Sequence, residues 1–278
     1  MELNIIYMYI GFLLAAYSVI ANDSIQTLGT FLASNKAHFK WYTLWFAASV
    51  MLVYTITYGW LNYDGDISYG RLTRIPFQEV QWYHAAAPAV LLLLTRKGIP
   101  VSTTFLVLSA FASFTVLEKV LMKSIVGYGV AALSAYIIWV VLERYINEKK
   151  DHPEHIKFWR VGQWVTSGWL WFAWLQHDMA NIAVFLPRQL MFGDLLMVLV
   201  ATVAILGYVF YTGGGRIQEV VINKHGTRFA RSSTIINLVY AFVLYFFKEL
   251  NDLPMSTTWV FVGLLTGREL AISSVIEN

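Results

Sequence analysis

The chain has no cysteine among its 278 residues. That removes disulfides, thiolate metal centres and cysteine nucleophiles together. It is also poor in charge. Asp, Glu, Lys and Arg make up 13% of it, against roughly 25% in a soluble domain, so water is not its main solvent. Period-two alternation is missing, which argues against a membrane β-barrel. No HExxH, GxSxG or paired-aspartate metal motif occurs, and the chain is not expected to be an enzyme. The stretch TGGGR (Thr212–Arg216) lacks the Lys-Ser/Thr of a phosphate-cradling loop and reads as a cytoplasmic turn. The net charge of +3 sits in scattered loops, an orientation signal rather than a nucleic-acid surface.

What is abundant is apolar surface. Hydrophobic residues make up 58% of the chain and aromatics 16%, with a mean hydropathy of +0.56. The apolar segments are Leu3–Ile20, Trp41–Trp60, His84–Leu94 with Val101–Leu117, Leu121–Leu142, Phe158–Leu175, Leu190–Tyr211, Phe229–Phe247 and Met255–Ile272. These lengths suit helices crossing a bilayer of about 30 Å. The only charge before the first segment is Glu2, and no A-x-A site follows, so it reads as a real span and not a cleaved signal. The expected class is an all-α polytopic protein, integral to the cell (plasma or inner) membrane.

Two polar signatures interrupt the apolar pattern, and each occurs twice. Ala-Asn-Asp (Ala21–Asp23) ends the first run and Gln-His-Asp (Gln176–Asp178) ends the fifth. Pro-Val-Ser-Thr-Thr (Pro100–Thr104) and Pro-Met-Ser-Thr-Thr (Pro254–Thr258) each open a later run. Asp23 precedes Ser102 by 79 positions and Asp178 precedes Ser256 by 78. This repetition predicts a first transmembrane repeat over 1–145, a cytoplasmic linker over 146–157 and a second repeat over 158–278.

A proline inside an apolar helix loses a hydrogen bond and clashes with the preceding turn. Such a break is tolerated at membrane depth only beside protein or a watery cavity. Pro followed by Ser-Thr-Thr therefore suits the tip of a re-entrant helical hairpin. The hydroxyls and the free N–H groups of the next helix would then face an anion. With the hairpin not crossing, the first repeat crosses three times, and an odd number inverts the second repeat against the first. Two inverted repeats, each with a broken motif-bearing helix and a re-entrant hairpin, would bring both tips together near the midplane. Eleven Lys and Arg collect on one side and five, among them Arg71, Lys123 and Arg188, on the other. The first side is thus expected in the cytoplasm and the N-terminus outside.

The four motifs, in this order and spacing, resemble those of the inorganic phosphate transporter (PiT) family. The matching stretches are ANDSIQTLGT (Ala21–Thr30), HDMANIAVFLP (His177–Pro187), PVSTTF (Pro100–Phe105) and PMSTTW (Pro254–Trp259), with GGRIQEVV (Gly214–Val221) similar to the family's loop before the second hairpin. The chain departs from the pattern at Gln26 and His177, where the family has Asn, and at Phe105 and Trp259, where it has His. The resemblance implies a secondary transporter of inorganic phosphate coupled to Na⁺ or H⁺, with no resident cofactor. The expected substrate-binding residues are Asn22, Asp23, Gln26, Ser102, Thr103, Thr104, His177, Asp178, Asn181, Ser256, Thr257 and Thr258. Asp23 and Asp178 are expected to be Na⁺ ligands or proton carriers, since an ionisable group inside a span costs about 2.5–3.5 kcal/mol. His177, titrating near pH 6.5 if unperturbed, would make uptake pH-dependent. Sulfate transport and, in a different class, a transporter-like sensor stay open. The expected partners are an oxyanion and the lipid bilayer, with a homodimer open. The Trp-rich run Trp164–Trp174 reads as a packed aromatic face.

Overall fold

The structure is a computed structural model and describes residues 3–99, 101–145, 153–214, 218, 230–250 and 254–276. Among these residues there is helix and turn and no strand. The helices are α1 (Leu3–Asn35), α2 (Trp41–Asn62), α3 (Ala86–Arg96), α4 (Phe114–Tyr145), α5 (Pro153–Ala183), α6 (Phe192–Tyr211), α7 (Ala230–Leu250) and α8 (Thr257–Ile276). A 3₁₀ turn (Trp82–Ala85) leads into α3, and a π turn (Thr104–Leu108) follows the first Ser-Thr-Thr. Residues 146–152 of the expected linker 146–157, most of the GGRIQEVV stretch and Pro100 lie outside the described residues, and the linker's last five residues are the start of α5.

α1, α2, α4 and α6 are each long and apolar enough to cross a membrane. Their outer faces expose large apolar side chains, such as Phe46 and Val50 on α2, Leu133 and Ile137 on α4, and Val200 on α6. In water such a belt would drive aggregation; facing acyl chains it is at no disadvantage. The chain is an integral membrane protein.

α1 and α5 form the centre and pack on each other. α1 also packs on α6, and α5 on α2; α2 meets α6; α3 lies on α1, and α7 lies on α5. Exchanging α1 with α5, α2 with α6 and α3 with α7 leaves this set of contacts unchanged.

Three expectations need correcting. The motif-bearing helices are not broken: α1 stays helical from Leu3 to Asn35 and α5 from Pro153 to Ala183. The apolar run ended at Ile20, but the polar residues after it turn inwards, and every residue from Asn22 to Leu32 is buried. The backbone stays paired within the helix while the neighbours satisfy the side chains, so no break is needed. The returning arm of the first hairpin is one π turn and a short bend, not a helix over Val101–Leu117. Lastly, two of the charges expected to flank the spans lie inside the bundle, one of them in the loop between α2 and α3. Ile67, Ser68, Tyr69, Arg71 and Leu72 are buried, Tyr69 Oη donates to Thr55 O (2.6 Å), and Arg71 Nε donates to Gln176 O (2.6 Å). Arg71 and Lys123, counted as flanking charges, are interior side chains, at 1% and 8% exposure.

α8 lies parallel to α4 at short range. Ser256 N donates to Ser124 Oγ (2.9 Å), and Tyr128 Oη to Thr266 Oγ1 (3.3 Å). Arg268 sits 5.2 Å over the Trp139 ring. A Cβ on Gly263 would strike Tyr128 O, and one on Gly267 would strike Ala132 O. Gly263-x-x-x-Gly267 is thus a small-residue face that admits the α4 backbone.

Candidate functional site

The helix pair α1 and α5 brings Asp23 and Asp178 to the middle of the bundle, both at 0% exposure. Each carboxylate is held first by an amide one helical turn on. Gln26 Nε2 donates to Asp23 Oδ1 (3.3 Å), and Asn181 Nδ2 donates to Asp178 Oδ1 (2.7 Å). The i, i+3 spacing makes these contacts possible from a single continuous helix. Asn22 Nδ2 also donates to Asp23 Oδ1, and to Val101 O at 2.8 Å.

The Ser-Thr-Thr segments close the site from the other side. Thr103 Oγ1 donates to Asp23 Oδ2 (2.8 Å) and Thr104 Oγ1 to Asp178 Oδ1 (3.3 Å). Asn181 Nδ2 reaches Thr103 Oγ1 (3.0 Å) and Thr104 Oγ1 (3.3 Å), so one amide joins both halves of the site. The tips also touch reciprocally. Thr104 Oγ1 lies 3.2 Å from Met255 O, and Thr258 Oγ1 lies 3.2 Å from Val101 O. In each case the third residue of one Ser-Thr-Thr meets the residue before the serine of the other. Phe105 and Trp259, which follow the two motifs, pack on each other with ring centroids 5.4 Å apart.

The serines have a local task. Ser102 Oγ accepts from Phe105 N and Ser256 Oγ from Trp259 N, both at 3.3 Å. This is the capping geometry of a helix start.

Three buried amide oxygens of this cluster have no hydrogen-bond partner, Asn22 Oδ1, Gln26 Oε1 and Asn181 Oδ1, while the Thr257 hydroxyl interacts with the Asp178 carboxylate. An unmade bond to a buried polar atom costs about 1–3 kcal/mol. Their grouping beside two buried carboxylates makes this cluster the candidate site. Carboxylate, amide and hydroxyl oxygens are the ligands of hard cations. Among the described residues no three His, Asp or Glu side chains converge as a transition metal would require.

His177 makes its hydrogen bond outside this cluster. Its Nε2 donates to Leu244 O on α7 (2.7 Å), and Nδ1 has no partner. The hydrogen bond to a carbonyl fixes the proton on Nε2 and pins α5 to α7. Asn is too short to span that contact. His177→Asn is therefore expected to lower the melting temperature in detergent, through loss of one hydrogen bond between helices, about 0.5–1.5 kcal/mol. Its uptake–pH profile is expected to overlay that of the unsubstituted protein at equal concentrations of one phosphate species. A profile that flattens, with stability unchanged, would make His177 a proton-handling residue.

All the expected residues except His177 thus stand in one cluster or cap the helices that frame it. The sequence reading missed Arg71. From the α2–α3 loop it binds the carbonyl just before His177-Asp178, and its charge acts on both side chains. Its position in a polar loop gave no sign of this. It also missed Ser124, which anchors the second tip from α4.

No family model matches the chain, and no curated protein matches it. Among solved structures, one described as "The sodium-dependent phosphate transporter" shares its fold, with a TM-score of 0.70 over 100% of this chain and 92% of that one, at 19% sequence identity.

Proposed function

We propose that the chain is a secondary active transporter that carries inorganic phosphate together with Na⁺ or H⁺ across a cell membrane. We further propose that 1–145 and 158–278 are inverted repeats whose re-entrant hairpins frame the substrate. The observation that carries this reading is the set of unpartnered oxygens beside two buried carboxylates, where two Ser-Thr-Thr tips meet. The shared fold and the reciprocal tip contacts support it.

The geometry suggests how the two solutes are coupled. Thr103 and Thr104 now spend their hydroxyl protons on Asp23 and Asp178. A phosphate approaching this site meets two carboxylates and no free threonine hydroxyl on the first Ser-Thr-Thr, and like charges at this range repel strongly when buried. A Na⁺ or a proton taken up by the carboxylates removes that repulsion. It also releases the two hydroxyls to donate to phosphate oxygens. Cation and anion thereby favour each other, and linkage makes the effect mutual.

Calorimetry on the purified protein tests this. Na⁺, or a lower pH for proton coupling, is expected to tighten phosphate binding by about 5- to 150-fold, and phosphate to tighten Na⁺ equally. Thr103→Val keeps the shape and removes the hydroxyl. It is expected to weaken phosphate binding about tenfold, equivalent to about 1.4 kcal/mol. Phosphate affinity unaffected by Na⁺ and by pH would contradict the coupling. Sulfate binding more tightly than phosphate would reassign the anion.

A further inference from the structure

Along α1 the face that carries Asp23 continues as a polar stripe toward the helix's C-terminal end only. On α1, Gln26, Thr27, Thr30 and Ser34 follow Asp23 at i+3, i+4, i+7 and i+11, one face of a helix. In the opposite direction the same offsets fall on Ile20, Val19, Ala16 and Phe12, all apolar and buried. Beyond them Phe111 stacks on His84 (4.3 Å) and meets Phe185 edge-on (5.1 Å), an apolar seal.

α7 continues the stripe. Ser233, Asn237 and Tyr240 are buried at i, i+4 and i+7, and Tyr240 Oη donates to Thr257 O at the second tip (2.9 Å). The stripes of α1 and α7 meet Ser167 of α5 about two helical turns from Asp23, roughly 10 Å along α1. There Thr30 Oγ1 donates to Asn237 Oδ1 (3.1 Å), and Asn237 Nδ2 to Ser167 Oγ (2.8 Å). One turn on, Asn35 Nδ2 donates to Gln163 Oε1 (2.9 Å), and Gln163 Nε2 to Ser34 Oγ. None of these side chains is charged.

We propose that this seam between α1, α5 and α7 is the path of phosphate between the site and the face where α1 ends, held shut by the Thr30–Asn237–Ser167 and Asn35–Gln163 hydrogen bonds. The inference rests on the transport reading above. Three physical points carry it. Hydrogen bonds between membrane helices contribute only about 0.6 kcal/mol each on average, so such a seam parts readily. Once parted, the same amides and hydroxyls offer donors and acceptors to a hydrated oxyanion, which apolar walls do not. At the same end of the bundle a cavity of about 560 Å³ is walled in part by Lys36, His38 and Lys40. Its positive potential concentrates anions at that face.

The absence of native cysteine gives a direct test. Ser167→Cys and Thr30→Cys each place a single thiol in the seam, and Ala16→Cys places one in the apolar half. Oriented membrane vesicles are treated with a charged, impermeant maleimide on either side, with and without Na⁺ and inorganic phosphate. Only variants that stay monodisperse on extraction are compared, and two seam positions guard against loss of one. The seam thiols are expected to react from the face where α1 ends, with a rate that Na⁺ plus phosphate changes by at least about fivefold. Ala16→Cys is expected to stay unreactive from that face. Seam thiols as inert as Ala16→Cys in every condition, with phosphate uptake by the unsubstituted protein intact, would overturn the proposal, as would reaction from the opposite face alone. Gated labelling without any phosphate uptake would instead overturn the transport reading and leave the seam as a water path.

Discussion

Asp23→Asn and Asp178→Asn are each expected to abolish coupled phosphate uptake while leaving the protein inserted and monodisperse. Both carboxylates are fully buried and sit among amide and hydroxyl partners. The amide keeps the volume and one acceptor oxygen but removes the charge that a cation or proton needs. Truncating one partner of a buried, hydrogen-bonded charge interaction costs roughly 2–5 kcal/mol, or about 30- to 5,000-fold in binding. Losses of that size in Na⁺-dependent phosphate binding are expected for both variants. The folded state should gain slightly, since a lone buried charge is expensive to keep. Full uptake by both variants would make the carboxylates bystanders.

The second large effect is expected at a distance from the site. Gly267→Leu should unseat α8 from α4 and with it the second Ser-Thr-Thr. Even a single Cβ at Gly267 would strike the Ala132 carbonyl oxygen and lie 2.8 Å from its carbon, and backbone has no room to yield there. Overpacking costs about 1–3 kcal/mol where side chains can shift, and more where they cannot. The contact sets the depth of the tip, because Ser256 is anchored to Ser124 only two to three turns away along the same helix pair. A slip of one turn would move Thr257 and Thr258 by about 5.4 Å, well out of hydrogen-bonding reach. Uptake and sodium-dependent phosphate binding are both expected to vanish, with a clear fall in melting temperature in detergent. Gly129→Leu is the control, since a Cβ there meets nothing within 4 Å, and it should behave as the unsubstituted protein.

The site was more legible in the sequence than the fold around it. Asp23, Asp178, their i+3 amides and both Ser-Thr-Thr segments stand out because polar residues inside apolar runs carry a cost that chance does not repeat at matched spacing. The structure gathers them in one cluster. Hydropathy failed where polar side chains face a protein interior instead of lipid. It ended the first span at Ile20, although α1 continues to Asn35 as a buried polar face. For the same reason Arg71 and Lys123 read as flanking charges, although both are interior side chains. His177 was read from its neighbour Asp178, but adjacent residues on a helix point about 100° apart. Its ring accordingly meets α7. The Gly263-x-x-x-Gly267 face was present in the sequence. Its partner on α4 lies more than 130 positions earlier, and only the packing pairs them.

The central claim is that this cluster binds phosphate and a coupling cation in one transport cycle. The most direct measurement is uptake of radiolabelled inorganic phosphate into proteoliposomes holding the purified protein, with Na⁺ and pH gradients imposed separately and sulfate present as competitor. Accumulation above equilibrium is predicted under one of the two gradients, lost in Asp23→Asn and Asp178→Asn, and little reduced by sulfate. Phosphate that only equilibrates under both gradients, or no uptake by a protein that remains folded, would contradict the account.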